Sequence, residues 1–109
     1  MRLRLTQPTD FLILDTLLDG RRNVASNIAE EIGKKRKYIN TRLPVLADYG
    51  LVERIGPAEN SGLYQITSLG VAAVRHQSVY DRDRDEFKRV IENTAGDITI
   101  IQPDIQTQN

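Results

Sequence analysis

The densest group of chemically active side chains in this sequence is a run of four cations at positions 34 to 37. Three polar or charged residues follow closely, and the full set is Lys34, Lys35, Arg36, Lys37, Asn40, Thr41 and Arg42. No Asp or Glu occurs between Lys34 and Ala47. Lysine meets phosphate as a point charge, arginine binds guanine or phosphate through paired hydrogen bonds, and asparagine can pair with adenine. These residue types favour double-stranded DNA as a partner, although a solvated helix face carries similar charges.

The spacing of apolar residues predicts that the cations lie on a helix. Ile39, Leu43 and Leu46 recur at intervals of three and four residues, which places them on one face. If that face is buried, the cations lie on the solvated side. We therefore expect a recognition helix from Lys35 to Tyr49. Pro44 removes one backbone donor, so we expect a bend in the turn before it.

Residues suited to catalysis or metal binding are scarce. The sequence has no Cys and one His, which excludes disulfides, thiolate zinc sites and thiol nucleophiles. It shows no glycine-rich phosphate loop and no Ser, His and Asp order typical of a nucleophilic enzyme. His76 has no second His or Cys with which to share a metal ion. We expect a protein that is not an enzyme and uses no cofactor or metal.

Length and charge set the outer bounds. The 109 residues suffice for one domain with a modest core, and 39% hydrophobic with 28% charged residues is ordinary for a globular protein. The net charge is zero, yet residues 1–56 hold ten cations against seven anions and residues 57–109 hold five against eight. No apolar run approaches the roughly 20 residues of a membrane helix, and the N-terminus lacks signal-peptide features. We expect a cytoplasmic protein without membrane contact.

Two helices are predicted before the recognition helix. The first begins with Thr9 as N-cap and ends at Gly20, and the second begins with Ser26 as N-cap and ends at Gly33. Residues 21–25 form a loop between them. A glycine at the end of the second helix allows the sharp turn that a helix-turn-helix needs.

A β-hairpin is predicted directly after the recognition helix. The segments LVERI and LYQIT are rich in β-branched and aromatic residues, and the turn-forming segment GPAENSG joins them. A helix-turn-helix followed by such a hairpin is a winged helix. The wing has few cations, so we expect it to touch the sugar-phosphate backbone through Asn60 and Ser61, with Arg54 beside them.

These pieces together carry a family resemblance. The run IAEEIGKKRKYINTRLPVLADYGLVERIGPAENSGLYQITSLG resembles the winged helix-turn-helix transcriptional regulators, most closely small haloarchaeal ones that look like phage repressors and are grouped with ArsR-type or MarR-type proteins. The resemblance covers roughly residues 6–74. It implies a recognition helix at residues 35–49, a wing at residues 57–61 and binding to promoter or operator DNA as a dimer.

The remainder of the chain is predicted to be helical after a cap at Thr67 or Ser68, as one helix or two. Its apolar stripe still needs a partner once the helices and hairpin have packed, so we expect it to form a homodimer interface. The alternative is that the helix folds back on its own domain and the protein is monomeric. The interface residues are Leu69, Ala73, Val79, Tyr80, Phe87, Val90 and Ile91. Residues 98–101 are expected to form a short strand before a frayed tail. At the other end, residues 2–5 alternate Arg and Leu, which fits a short strand or a basic arm.

The sequence thus predicts a mostly α fold with a small β-hairpin. Residues 6–67 would form a winged helix-turn-helix, residues 68–96 a helical dimerisation extension, and residues 97–109 a short strand and tail. The expected function is sequence-specific binding of double-stranded DNA by a transcriptional regulator, a repressor acting as a homodimer on a near-palindromic operator. The alternative is a winged-helix module for protein or RNA binding. No separate sensor domain for an effector is visible.

Overall fold

A computed structural model describes residues 3–55 and 62–100, which form six helices and a small antiparallel sheet. The elements in chain order are α1 (Thr9–Thr16), β1 (Asn23–Val24), α2 (Ala25–Ile32), α3 (Arg36–Asp48), β2 (Val52–Ile55), β3 (Leu63–Ile66), α4 (Ser68–Arg75), α5 (Gln77–Arg82) and α6 (Arg84–Ala95). The strand order in the sheet is β1-β3-β2. A mostly helical fold with a small sheet is therefore as predicted, and its element order is compatible with a winged helix.

Helices α2 and α3 form as their apolar spacing predicts. Ile39, Leu43 and Leu46 of α3 are fully buried, and Ile28 of α2 is buried beside them. Gly33 ends α2 in the left-handed conformation, with φ of 73°, which only glycine adopts without strain. This residue turns the chain so that α3 begins three residues later.

The predicted N-caps of the first two helices are wrong. Helix α1 is preceded by Pro8 and α2 by Val24, and neither makes a side-chain capping hydrogen bond. Thr9 is buried within the first turn of α1, and Ser26 lies one residue inside α2. Val24 cannot cap with its side chain because an isopropyl group has no hydrogen-bond acceptor.

The sheet contains the predicted hairpin and one strand that the sequence did not reveal. Strands β2 and β3 pair antiparallel with Val52 opposite Ile66, and both side chains are buried. Strand β1 pairs Asn23 with Tyr64 on the other edge of β3, although this segment was expected to be a loop. The wing residues Asn60 and Ser61 lie outside the described residues.

The C-terminal part forms three helices rather than one or two. Thr67 caps α4 as predicted, since its hydroxyl oxygen accepts a hydrogen bond from the Gly70 N–H at 3.1 Å. Gly70 lies so close to the backbone of Leu51 that a methyl group there would collide with the Leu51 carbonyl oxygen. Glycine at this position therefore allows α4 to pack directly on the start of β2.

The stripe assigned to a dimer interface is largely buried within the chain itself. Tyr80 and Phe87 pack edge-to-face with their ring centroids 5.1 Å apart, and Phe11 of α1 lies 5.7 Å and 6.2 Å from them. Ala73 and Ile91 are also fully buried. The expectation that the small domain cannot cover this stripe is wrong, because α4, α5 and α6 fold back against one another and α1.

Three members of the assigned interface remain partly exposed, namely Leu69, Val79 and Val90. Their part in a homodimer stays a prediction. Two of these side chains, Leu69 and Val79, also pack against the core.

Two tyrosines bind the backbone near the N-terminus. The Tyr80 hydroxyl accepts from the Leu5 N–H at 2.8 Å and donates to the Leu5 carbonyl at 3.1 Å. The Tyr49 hydroxyl makes the same two contacts with Arg4, at 3.2 Å and 3.3 Å. Residues 3–5 form no strand, and because Leu3 and Leu5 are buried this described part of the segment is not a free basic arm either.

The expected strand near the C-terminus does not form in residues 98–100. Ile98 and Ile100 instead pack against the core from an irregular segment, and the carbonyl of Ile98 accepts a hydrogen bond from the Ser68 hydroxyl at 3.1 Å. Ile101 and the tail lie outside the described residues. Across residues 3–55 and 62–100, no helix combines the length and apolar character needed to cross a membrane.

Replacing Phe87 with Ala tests whether the aromatic stripe belongs to the core. We expect a loss of about 3–5 kcal/mol in the free energy of unfolding, because a fully buried aromatic side chain is removed. Chemical denaturation measures the loss, and the exposed Arg89→Ala on the same helix is the control. The loss should stay constant over about a tenfold range of protein concentration. A loss of stability that depends on protein concentration would indicate instead that Phe87 lies in a dimer interface.

Candidate nucleic-acid interface

The four consecutive cations lie at the exposed start of α3. Lys35 precedes the helix in an extended conformation, Arg36 begins it, and Lys34, Lys35, Arg36 and Lys37 are all exposed. We call these four residues the cationic surface. No acidic residue lies in the first turn of α3. The arrangement concentrates four positive charges on one short segment.

The outward direction of α3 follows from its buried face. Ile39, Leu43 and Leu46 hold the inward side against the core with no exposed surface. Side chains about half a turn away, such as Lys37 and Thr41, must therefore face solvent. The sequence thus fixes one side of α3 through burial and leaves the other side available for a ligand.

Asn40 and Thr41 lie on the exposed part of α3, close to the cationic surface. The Thr41 hydroxyl donates to the carbonyl of Tyr38 at 2.6 Å, so its hydrogen is engaged within the helix. Asn40 retains a side-chain amide, which provides both donors and an acceptor. The structure thereby brings six of the seven predicted α3 residues onto or beside one exposed surface.

Arg42 is the exception, since its guanidinium binds the carboxylate of Asp10 in α1. The Arg42 Nε lies 2.9 Å from one carboxylate oxygen, and Nη2 lies 2.8 Å from the other. Asp10 is fully buried, and the Arg42 side chain is 17% exposed. We correct its assignment accordingly, because a guanidinium already held in this paired geometry serves to join α3 to α1.

The Asp10 carboxylate has a third donor, the backbone N–H of Thr6 at 2.7 Å. Its hydrogen bond with Arg42, together with its negative charge, raises the pKa of Arg42 above the ordinary arginine value. Burial acts in the opposite direction and is outweighed. The two charges are thus mutually compensated at a place where either one alone would be costly.

Arg54, assigned to the wing side of the interface, lies on β2 next to Tyr64 of β3. Its Nε and Nη2 lie 3.2 Å and 2.8 Å from the Tyr64 hydroxyl, and its guanidinium carbon lies 5.5 Å from the ring centroid. These contacts orient the Arg54 side chain along the sheet. Arg54 is exposed, and its contact with DNA stays a prediction.

Carboxylates border the cationic surface on the α2 side. Glu30 and Glu31 are exposed on α2, and Glu31 lines a shallow groove with Asp15 and the apolar Leu12 and Ile32. The two surfaces therefore carry opposite charge, and a polyanion would be repelled from the groove and attracted to the cationic surface. Among the described residues, no group of three or more His, Cys, Asp or Glu side chains is placed to hold a metal ion.

Comparisons with known proteins give no relative from which to transfer a function. No protein-family model matches the chain, and neither the curated proteins nor the solved structures provide a significant match.

Replacing Arg42 with Met tests the role of the buried ion pair. We expect the free energy of unfolding to fall by about 3–5 kcal/mol, because the Asp10 charge stays buried without its partner. Chemical denaturation provides the measurement, and Lys37→Met on the exposed side of α3 is the control. The double variant Asp10→Asn/Arg42→Met should recover part of the loss. An unchanged stability in Arg42→Met would contradict this account.

Proposed function

We propose that this protein is a winged-helix regulator that binds double-stranded DNA through the exposed face of α3. The cationic surface contacts phosphates on both sides of the major groove, and Asn40 and Thr41 reach base edges. The proposal includes sequence-specific binding, repression of transcription and a cytoplasmic location.

One observation carries this proposal. A helix whose inner face is fully buried presents four adjacent exposed cations at its N-terminal end, with Asn40 and Thr41 next to them. The partial positive charge of the helix N-terminus adds to these cations, so an anion is favoured there. The order of α1, α2 and α3 before the hairpin of β2 and β3 also supports the proposal of a winged helix.

The expected dependence of DNA binding on salt follows from the number of cations that are free to meet phosphates. Each phosphate contact contributes about 0.9 to the slope of log affinity against log salt. Four cations that meet phosphates then give a slope of about −3.6 per protomer. Arg42 is not counted, because its charge is compensated by Asp10.

A homodimer on a near-palindromic operator remains part of the proposal. A single winged helix binds weakly, whereas two linked copies gain affinity from their high effective concentration. A two-fold axis would place two α3 helices about 34 Å apart, one turn of DNA. The buried residues of α5 and α6 are not available for that interface, so it would use partly exposed residues such as Val90.

The second candidate function is binding to protein or RNA through the same surface. It is favoured by the uncharged side chains of α3, where Tyr38 and Pro44 are exposed. The charge density beside them favours nucleic acid over protein. Duplex DNA, duplex RNA and single-stranded RNA of one sequence, compared at equal salt, separate these possibilities.

Removing the charge of three cations tests the proposed function. The variant Lys35→Ala/Arg36→Ala/Lys37→Ala should bind duplex DNA weakly whatever its sequence, and the slope should shrink from about −3.6 to about −0.9. Fluorescence anisotropy with a labelled duplex at several salt concentrations measures both quantities.

The matched control removes three cations from another surface. Arg82 on α5 and Arg89 on α6 are exposed, and the Lys88 side chain on α6 is 44% exposed. The ion pairs of Arg82 with Glu86 and of Lys88 with Glu92 are long, at 3.9 Å and 3.7 Å. Their replacement by Ala lowers the net charge equally and should leave the slope unchanged. If both triple variants lose affinity to the same extent, binding is not centred on α3.

A further inference from the structure

The exposed face of α3 changes character along its length. Its start carries the cations, whereas Tyr38 in its first turn and Thr41 and Pro44 further along carry no charge and are all exposed. Their spacing of three residues places them in one row on the helix surface. Tyr38 is 38% exposed, a high value for a large aromatic side chain. We call these three residues the apolar row.

Each member of the apolar row offers carbon atoms to a ligand. The hydroxyl hydrogen of Thr41 is held by the Tyr38 carbonyl at 2.6 Å, which leaves the Thr41 methyl as its main free group. Pro44 has no N–H and exposes its ring. Tyr38 exposes part of an aromatic ring. These three side chains are not part of the protein core, because the buried face of α3 is formed by Ile39, Leu43 and Leu46.

The major groove contains one group that fits such a row. Thymine is the base that displays a methyl group there, and apolar side chains such as the threonine methyl contact it. Six residues of helix rise about 9 Å, and a duplex rises about 3.4 Å per base pair. The apolar row can therefore span about three consecutive base pairs beside the phosphates that the cationic surface holds.

Building on the proposed function, we propose that the apolar row reads thymine through its C5 methyl group. Tyr38 and Thr41 are then specificity-determining residues, whereas Lys34 to Lys37 supply affinity without regard to sequence. This assignment also gives a reason for preferring DNA to RNA, because uracil has the same hydrogen-bonding edge as thymine and lacks the methyl.

The test compares two duplexes that differ only in those methyl groups. The full-length protein is titrated into alternating poly(dA-dT) and alternating poly(dA-dU) at equal salt, with binding followed by competition against a labelled duplex. Affinity for the deoxyuridine polymer should be about fourfold lower for each methyl contacted, since one buried methyl contributes about 0.8 kcal/mol.

Two variants locate the effect. Tyr38→Ser/Thr41→Ser removes the ring and the methyl but keeps the hydroxyl of residue 41, so the preference for the thymine polymer should fall to at most the roughly fourfold that one methyl contacted by Pro44 can supply. Lys37→Ala, which alters charge alone, should weaken binding to both polymers and preserve their ratio. Thermal unfolding confirms that both variants fold, as expected for exposed positions.

The outcomes separate the inference from the proposed function. Equal affinity of the unaltered protein for the two polymers would overturn methyl readout while DNA binding stands. An undiminished preference in Tyr38→Ser/Thr41→Ser would also overturn it, since the methyl groups would then be read elsewhere. Failure to bind either polymer at low salt would contradict the proposed function itself.

Discussion

The buried contact between the Asp10 carboxylate and the Arg42 guanidinium joins the first turn of α1 to the middle of α3. Burying either charge without the other would cost free energy, so separation of the two groups is unfavourable. Their two parallel hydrogen bonds also restrict rotation of the guanidinium against the carboxylate. Ile39, Leu43 and Leu46 add a fully buried apolar seam along the same helix. Together they hold the inner side of α3, and the orientation of every exposed side chain on its outer side depends on that attachment.

The C-terminal helices extend this framework rather than forming a separate arm. Phe11 of α1 contacts both Tyr80 of α5 and Phe87 of α6 edge-to-face, and the Tyr80 hydroxyl also binds the backbone of Leu5. Helix α1 is thus packed against α3 through an ion pair and against α5 and α6 through aromatic rings. The buried residues from Leu3 to Ile91 consequently form one cluster, and α3 is supported by most of the chain.

Local patterns in the sequence predicted the elements whose burial is periodic. The spacing in α2 and α3, the glycine at position 33 and the β-branched segments of β2 and β3 each indicated the observed element. Strand β1 was missed because two residues are too short to show alternation, and its pairing with β3 is set by distant residues. Periodicity also showed that Tyr80 and Phe87 are buried, yet it cannot tell whether the partner is the same chain or another copy.

The residues of the candidate site were likewise predicted only in part. Exposure of the cationic surface followed from charge density and from the buried stripe on the opposite side of α3. The role of Arg42 did not, because its partner lies 32 positions earlier and reads in sequence as an ordinary acidic residue at a helix start. Tyr38 and Pro44 were overlooked as candidates since neither carries the charge or amide usually sought in a DNA-binding helix.

Binding of duplex DNA through α3 is tested most directly by a residue-by-residue map of the protein surface that the DNA contacts. Amide chemical shifts of the isotopically labelled full-length protein would be followed by nuclear magnetic resonance during titration with a short duplex at low salt. We expect the largest changes in amide chemical shift from Lys34 to Thr41, while the amides of α5 and α6 stay unaffected. Changes centred on α5 and α6, or on the acidic groove at Asp15 and Glu31, would contradict it, as would a spectrum that DNA leaves unaltered.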